Sequence, residues 1–272
     1  MSIRRVFIDW KQPALQAAAE WLRGRRERNG ELDLGEVIVV VPTSRAGRRL
    51  LEILVQTADE RQLVLTPPEI VTPERFPELL YPAKWPFAGE LTQQLAWVQA
   101  LQSTPVPALA PFLPQSPALD DLPRWLAIAQ TLQRLHLELA ADGLDCKSVL
   151  KKADAVEGFA EHDRWQTLSQ LQRRYLDALD GLELWDVQTA RLVAIEKREI
   201  ATDKQIVLLG TVDLNQAQRQ ILDLVADRVT ALIIGPHGLA ERFDEHGCLL
   251  TGHWAEAPLP LNDNQIERVD GP

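Results

Sequence analysis

Five consecutive β-branched apolar residues, Val37–Val41, constrain the fold of this chain more than any other feature. The run is too short to cross a membrane and lacks a helical period, so it predicts a strand buried on both faces. Strands of this kind belong to parallel sheets that helices cover on either side. Pro42 ends the run, and either Thr43 or Ser44 can cap a following helix. The sequence therefore predicts a strand–turn–helix unit here.

Three arginines lie near the start of this predicted helix. Its apolar stripe runs from Ala46 to Leu54 and leaves Arg45, Arg48 and Arg49 outside the stripe. In open parallel sheets, ligands bind where strands end and helices begin, because free N–H groups and the helix dipole attract anions. The unit therefore indicates contact with phosphate at this corner. The alternative is a solvated helix face on which Glu52 pairs with an arginine one turn away.

The charge of the chain is unevenly distributed. The 272 residues are 46% hydrophobic and 25% charged, which is typical of a globular protein with a large core. The formal charge of −10 argues against a surface that binds nucleic acid all over. Residues 1–62 nevertheless contain 11 Lys/Arg and 9 Asp/Glu, a net of +2, so the remaining 210 residues carry −12. A local basic corner on an acidic body is compatible with DNA contact.

Membrane and disulfide-rich classes do not fit this sequence. No apolar run approaches the roughly 20 residues of a bilayer span, and the first residues lack the apolar segment of a signal peptide. Two isolated cysteines, Cys146 and Cys248, argue against a disulfide scaffold and fit a reducing compartment. We therefore expect a cytoplasmic protein with no membrane partner.

The order of the predicted elements divides the chain into three parts. Residues 1–89 alternate strands and helices, residues 90–203 show only helical periodicity, and residues 204–272 return to buried strands and a helix. We predict an α/β fold in which a parallel sheet flanked by helices is interrupted by an all-helical insertion. A further strand is predicted at Gln265–Val269, next to the end of the sequence, so we expect a fragment of a longer protein.

Four segments carry a resemblance to a known family. Val6–Ala19 and Val37–Leu54 are strand–helix units, residues 90–203 are helical, and Ile206–Leu214 begins with a strand. Superfamily 1 helicases have the same order: a Walker A unit, a strand with a T-x-x-A helix start, a helical subdomain and a Walker B strand. The chain resembles the N-terminal helicase-like domain of AddB-type helicase–nuclease subunits, which implies a P-loop-NTPase-like sheet. Leu184–Trp185–Asp186 and the segment from Phe243 to Gly247 also resemble that family.

Both halves of a nucleotide site depart from the helicase pattern. A Walker A loop needs glycines, a lysine and a Ser/Thr, but the matching turn is Asp9–Trp10–Lys11–Gln12–Pro13. Asp9 would repel a triphosphate, and Pro13 lacks an N–H that should bind it. The strand in the Walker B place ends in Gly210–Thr211 instead of the Asp-Glu pair that holds Mg²⁺. We therefore predict no motor activity, no cofactor, no metal and no catalytic residue in this chain.

The resemblance also implies partners and a binding site. It implies a DNA-binding scaffold in double-strand break repair, in contact with single-stranded DNA or a duplex end and with an AddA-like helicase–nuclease chain. The nuclease of such a protein would lie beyond these residues. The implied nucleic-acid-binding residues are Thr43, Ser44, Arg45, Arg48 and Arg49. Two alternatives stay open: a protein–protein interaction domain, suggested by the −12 charge of residues 63–272, and an enzyme acting on small anions at this corner.

The tryptophans allow two interpretations. Trp10, Trp85 and Trp97 could stack on single-stranded bases, because every base has an aromatic face. Trp125 and Trp165 lie on helical apolar stripes, which favours a place in the core. Core packing is the more common role for each of the eight tryptophans.

Two further patterns are weak candidates for metal chemistry. His246, Cys248 and His253 are close in sequence, but without a CxxC or HExxH motif an ordinary polar loop is favoured. Asp145–Cys146–Lys147 matches part of a PD-(D/E)xK nuclease site, which also needs a second carboxylate on an adjoining strand. Asp145 instead follows a long predicted helix.

Overall fold

The computed structural model describes residues 2–153 and 155–255. The predicted strand at Gln265–Val269 lies outside the described residues. The strands are β1 (Arg4–Ile8), β2 (Glu27–Arg28), β3 (Glu31–Asp33), β4 (Val37–Val40), β5 (Val64–Thr66), β6 (Glu69–Val71), β7 (Gln205–Leu209) and β8 (Val229–Ile234). The α-helices are α1 (Ala14–Arg26), α2 (Ser44–Glu60), α3 (Glu90–Gln102), α4 (Val106–Leu109), α5 (Leu122–Ala141), α6 (Cys146–Ala153), α7 (His162–Asp180), α8 (Val187–Glu196), α9 (Gln216–Leu224) and α10 (Thr251–Ala255).

Five strands form a central sheet in the order β1-β8-β7-β4-β6, and every neighbouring pair is parallel. In the middle of the sheet, Val39 of β4 pairs with Val207 of β7. The predicted α/β fold with a parallel sheet flanked by helices is confirmed. Because all five strands run the same way, their carboxyl ends lie along one edge, which is where parallel sheets bind ligands.

Strand β4 shows why the sheet needs helices on both sides. Val37, Val39 and Val41 pack in one apolar cluster with α1 and α2. Ile38 and Val40 belong to a second cluster that includes residues of α8 and α9. The two sets alternate because successive side chains of a strand point to opposite faces. The run of five apolar residues is therefore buried on both faces, as predicted.

A second, three-stranded sheet was not predicted. It has the order β2-β3-β5, in which β2 and β3 are antiparallel and β3 and β5 are parallel. The β2–β3 turn is Asn29–Gly30, and both residues have positive φ angles, 51° and 81°. An Asn-Gly pair is the strongest short-range signal for a tight hairpin. The residues on either side of the pair do not show the alternating apolar pattern of a hairpin, because β2 is Glu-Arg and β3 contains a single buried side chain, Leu32.

The insertion between β6 and β7 is helical, as predicted. Helices α3 to α8 occupy it, and residues of α3, α5, α6 and α7 share one apolar core. Trp97 stacks on Tyr175 in this core with ring centroids 4.2 Å apart and an interplanar angle of 4°. Trp97 is only 2% exposed, so its interpretation as a base-stacking residue is wrong. Trp125 is buried in the same core, as expected.

The buried face of α3 agrees only in part with the sequence pattern. Leu91, Leu95, Val98 and Leu101 repeat at helical spacing, and of these Val98 and Leu101 are buried whereas Leu91 and Leu95 are largely exposed. The helix also buries Trp97 with its small neighbours Ala96 and Ala100. Apolar residues lie all around α3, so periodicity alone did not decide which side faces the core.

In the described part of the chain, no helix is long and apolar enough to cross a membrane.

Candidate functional site

Helix α2 begins at the carboxyl end of β4, as the sequence predicts. Thr43 has an extended backbone, and its Oγ1 accepts a hydrogen bond from the Ala46 N–H at 3.2 Å, which caps the helix. Gly47 allows α2 to approach the sheet closely, because a Cβ there would lie 2.9 Å from Cγ2 of Ile70 in β6. The first turns of α2 are thereby placed beside the end of the edge strand.

A cleft of about 350 Å³ opens between α2 and the end of β6. Its wall includes Ser44 and Arg48 from α2, and Thr72 and Arg75 from the segment that follows β6. The remaining wall is apolar or small and consists of Val41, Gly47, Leu51, Pro68, Ile70 and Val71. We call this cleft, with Ser44, Arg48, Thr72 and Arg75 as its polar side chains, the basic cleft.

The charged side chains that line the basic cleft are both arginines. Among the described residues, no carboxylate lines the cleft. In the same part of the chain, neither Arg48 nor Arg75 forms a salt bridge. Backbone N–H groups of the first turn of α2 add the positive end of a helix dipole. The arrangement suits a phosphate group, since a guanidinium can donate two parallel hydrogen bonds to it.

The other predicted residues of this corner lie apart from the cleft. Arg49 forms a salt bridge with Glu52, at 2.8 Å between Nη1 and Oε2, and both side chains are exposed. This is the pairing that the solvated-face alternative expected, and such a pair contributes at most about 1 kcal/mol. Arg45 is exposed and lies outside the wall of the cleft. The structure therefore brings together Ser44 and Arg48, with Thr43 as the cap.

Arg75 and Thr72 were missed by the sequence analysis. The backbone N–H groups of Arg75 and Phe76 both donate to the Thr72 carbonyl, at 3.0 and 3.2 Å, and this turn fixes the position of Arg75. The sequence predicts only a short extended piece at Ile70–Val71, because prolines precede and follow it, and so short a piece does not by itself indicate a ligand-binding strand end. Ligands bind at the carboxyl ends of parallel strands. If the same rule is applied to a strand that ends at Val71, it predicts Thr72 and Arg75 as candidate binding residues.

A second pocket lies at the carboxyl ends of β1, β7 and β8. It has a volume of about 300 Å³. Trp10 comes from the turn in the Walker A place, and Gly210 and Thr211 come from the strand end in the Walker B place. The other lining residues are Val212, Ile233, Ile234, Phe243, Gly247, Leu249 and Trp254. We call it the apolar pocket, and the two segments matched to nucleotide motifs meet there.

The weak metal candidates hold other roles. His246 bonds through Nε2 to Oδ1 of Asp223 at 2.8 Å, and His253 contacts the Glu241 carbonyl at 3.0 Å. Burial raises the pKa of the Cys248 thiol to about 12, which keeps it in the protonated form that binds metals poorly. Residues 2–153 and 155–255 contain no group of three or more His, Cys, Asp or Glu placed to hold a metal.

Asp145, from the partial nuclease motif, caps a helix. Its Oδ1 accepts a hydrogen bond from the Ser148 N–H at 2.6 Å, one turn into α6. Helix α6 was not predicted, since its eight residues are too few to show clear periodicity. The position of Asp145 in a helical segment, away from the strands of the central sheet, is unlike the strand-borne carboxylate that nuclease chemistry requires.

A buried His–Asp–Tyr group lies inside the helical insertion. His136 Nε2 contacts Asp186 Oδ1 at 2.9 Å, and the Tyr175 hydroxyl donates to Asp186 Oδ2 at 2.9 Å. Gln172 accepts from the Cys146 N–H at 3.0 Å, so its amide nitrogen faces His136 Nδ1 at 2.8 Å. Nδ1 therefore accepts, and Nε2 carries the proton that faces Asp186. The His136 and Asp186 side chains are at most 3% exposed, so the group joins helices instead of reaching a substrate.

Comparison with known proteins adds no assignment: no protein-family model matches the chain, and no curated protein matches it.

Proposed function

We propose that this chain is a non-motor, helicase-like domain that binds DNA through the basic cleft. It would serve as a scaffold in an AddB-type helicase–nuclease that acts in double-strand break repair, with an AddA-like chain as its partner in the cytoplasm. The observation that carries the proposal is the placement of Arg48 and Arg75, both without a carboxylate partner in the described residues, in one cleft beside the start of α2.

The electrostatics of the cleft favour a phosphate backbone over other ligands. Exposed arginines without partners can neutralise phosphates of a nucleic acid, and this releases the counterions that are condensed on the nucleic acid. Ser44 and Thr72 add hydroxyl donors at the same wall. Contacts of this kind position a strand without reading its sequence, which is what a scaffold for DNA needs.

The sheet order supports the resemblance behind this proposal. β1 and β7 are separated only by β8, so the segments matched to Walker A and Walker B open onto one pocket. Two halves of a nucleotide site would be expected to meet in this way. Their chemistry has changed: Trp10 lies where a phosphate-binding loop would be, and Thr211 lies where a metal-binding carboxylate would be. This combination suits a helicase-like domain without a motor.

Fluorescence anisotropy with labelled single-stranded oligonucleotides tests the proposal. Two unrelated sequences should bind equally well at low salt. The double variant Arg48→Ala/Arg75→Ala should weaken both by about tenfold or more, because charged hydrogen bonds to phosphate are lost. Arg49→Ala is the matched control, since its guanidinium already pairs with Glu52, and it should change affinity less than about twofold. Equal affinities of the wild type and the double variant would contradict the proposal.

A protein–protein interaction domain is the second candidate. Leu51 and Val55 are exposed on the outer face of α2, in a shallow groove of about 600 Å³ that Arg48 also lines. Neighbouring exposed apolar side chains of this kind are typical of interaction surfaces. This candidate predicts no binding of either oligonucleotide, so the same anisotropy experiment separates the two functions.

A further inference from the structure

Three arginines meet at the amino ends of the central strands, on the opposite edge of the sheet from the basic cleft. Arg5 of β1 turns to one face of the sheet, where its Nη1 donates to the Phe243 carbonyl at 3.0 Å. Arg4, the residue before it, therefore points to the other face, which α1 covers. The last turn of α1 supplies Arg25 and Arg26. Arg4, Arg25 and Arg26 line one cleft of about 260 Å³.

Two neutral hydrogen-bonding side chains belong to the same cleft. Thr230 of β8 is the register partner of Arg4, and Gln205 begins β7. Gln205 lies two residues before Val207, which pairs with Thr230, so both polar side chains are on the Arg4 side of the sheet. The rest of the wall consists of Trp21, Leu22, Val37 and Val207. We call this cleft, with Arg4, Arg25, Arg26, Gln205 and Thr230 as its polar side chains, the amino-edge cleft.

The arginines of the amino-edge cleft have no carboxylate partners. Within the described chain, no carboxylate lines the cleft, and none of its arginines forms a salt bridge. Glu31 and Asp33 line a neighbouring groove with Arg25 and Arg26. Partial desolvation lowers the pKa of the Arg25 guanidinium, and the positive charge of Arg4 lowers it further. Arg4 and Arg25 are therefore held close enough to repel each other.

Arg23 shows the ordinary role of an arginine in this turn of α1. Its guanidinium forms ion pairs with Glu20 at 2.7 Å and with Glu27 at 2.5 Å. Arg25 lies instead over the ring of Trp21, with its Cζ 4.5 Å from the ring centroid, which orients the guanidinium but leaves its charge in place. The helix dipole attracts arginines to the last turn of α1, but it does not account for the arginine of β1 beside them. An anion bound between the arginines would account for all three.

We propose that the amino-edge cleft binds the dianionic phosphate of a phosphomonoester through Arg4, Arg25 and Arg26, with Gln205 and Thr230 as neutral donors. A phosphomonoester has three terminal oxygens for the guanidinium groups, whereas a carboxylate or a phosphodiester has two. Its negative charge also offsets the repulsion between the arginines. The phosphate belongs either to a small phosphorylated molecule or to the phosphorylated end of a nucleic-acid strand. The inference does not rest on the basic cleft, which lies at the other edge of the sheet.

Titration of the full chain with methyl phosphate, followed by phosphorus NMR, tests the amino-edge cleft. The protein is the Arg48→Ala/Arg75→Ala variant, so that the basic cleft does not contribute. At low salt and about pH 8, where a phosphomonoester is a dianion, we expect a Kd on the order of 1 mM. Dimethyl phosphate, with one charge, and malonate, a dicarboxylate with two, should each bind at least about fivefold more weakly. No saturation at several tens of millimolar, or malonate that binds as tightly as methyl phosphate, would overturn the proposal.

Removal of two charges identifies the binding groups. In the same background, Arg4→Gln/Arg25→Gln keeps long polar side chains but removes two guanidinium groups, so methyl phosphate should bind about tenfold or more weakly. Arg23→Gln is the matched control, because Arg23 already pairs with two glutamates, and it should change the affinity less than about twofold. Unchanged affinity in Arg4→Gln/Arg25→Gln would refute the assignment of these two arginines.

A stability measurement separates a binding role of Arg4 from a structural one. Because Arg4→Gln relieves a repulsion, it should leave the melting temperature at low salt unchanged or raise it. Methyl phosphate at saturation should raise the melting temperature of the protein with Arg4 and Arg25 intact, and not that of Arg4→Gln/Arg25→Gln. A lower melting temperature for Arg4→Gln would show that Arg4 stabilises the fold, which contradicts the argument.

Two oligonucleotides of one sequence, with and without a terminal phosphate, separate the two sources of the ligand. If a strand end is the ligand, the phosphorylated oligonucleotide should bind the Arg48→Ala/Arg75→Ala variant more tightly, and Arg4→Gln/Arg25→Gln should abolish the difference. If the ligand is a small molecule, the two oligonucleotides should bind alike while methyl phosphate still requires Arg4 and Arg25, and either result supports the site. Because methyl phosphate is titrated without the basic cleft, failure of the proposed function and failure of the amino-edge cleft can be told apart.

Discussion

Replacing Asp186 by alanine should destabilise the chain far more than the loss of an ordinary helix cap. Asp186 caps α8, and its Oδ1 accepts both the Thr189 N–H at 2.7 Å and the His136 Nε2–H at 2.9 Å. Its Oδ2 accepts the Tyr175 hydroxyl at 2.9 Å. The carboxylate thereby joins α5 and α7 to the start of α8 inside the insertion.

The expected loss follows from these contacts. A missing N-cap costs about 1 kcal/mol. Alanine would also leave the buried His136 N–H and Tyr175 hydroxyl without an acceptor, at about 1–3 kcal/mol each. The free energy of unfolding should therefore fall by about 3–7 kcal/mol, a large part of the 5–15 kcal/mol typical of a folded protein.

Urea unfolding followed by circular dichroism measures this loss, with two matched variants as controls. Asp121→Ala removes the cap of α5, where the Asp121 carboxylate accepts the Arg124 N–H at 3.3 Å near the surface, and should cost only about 1 kcal/mol. Asp186→Asn keeps an oxygen for Thr189 and His136 and should cost less than about 2 kcal/mol. Equal losses in Asp186→Ala and Asp121→Ala would refute the reasoning that the network is buried and interdependent.

Three other perturbations have defined outcomes. Gly47→Ala should lower the free energy of unfolding by about 1–3 kcal/mol, because its Cβ would lie 2.9 Å from Ile70 Cγ2. Gly24→Ala, on the open side of α1, should raise the free energy of unfolding by about 0.5–1 kcal/mol. Burial alone would raise the pKa of Asp186, but its hydrogen bonds, of which the one from His136 is the strongest, lower the pKa to about 2. The stabilisation that Asp186 provides is therefore complete at neutral pH and is lost as the pH falls from about 4 to about 2. Unfolding midpoints measured across that range should fall more steeply for the wild type than for Asp186→Asn. Calorimetric titration with ATP and Mg²⁺ should show no saturable micromolar binding, and a micromolar isotherm would mean that β1 and β7 are wrongly matched.

The three middle strands of the central sheet, β4, β7 and β8, could be predicted because strands buried on both faces are continuous apolar runs in the sequence. β8 (Val229–Ile234) lies in the part of the chain, residues 204–272, for which buried strands were predicted, and β7 begins one residue before the predicted Ile206. The long helices α5 and α7 were predicted equally well, since each has one apolar face against the insertion core. In these elements the local pattern and the tertiary environment impose the same structure.

Other elements depend on contacts that are remote in sequence. β2 and β3 are short and mostly exposed, so their backbone pairing forms them without an apolar signal. The sequence of α3 does not specify whether Trp97 faces solvent or the core, and in the structure Trp97 lies in the core, stacked on Tyr175 of α7. Burial of a particular helix side is set by its neighbours, which periodicity does not specify when every side is apolar.

The sequence predicts one side of the basic cleft but not the other. Ser44 and Arg48 follow from the rule that anions bind where a buried parallel strand is followed by a helix. Arg75 comes from a different strand end, and only the pairing of β4 with β6 brings it to the same cleft. The apolar pocket is even harder to predict from the sequence, because its walls come from the ends of three strands and from the segment after β8.

Salt dependence of DNA binding by the full chain is the most direct test of the basic cleft. Each phosphate contact to a single strand contributes about 0.7 to the slope of log affinity against log salt. The double variant Arg48→Ala/Arg75→Ala should flatten the wild-type slope by about 1.4, whereas Arg49→Ala should leave it unchanged. A slope that is the same in the wild type and the double variant would contradict the claim that these two arginines bind DNA phosphates.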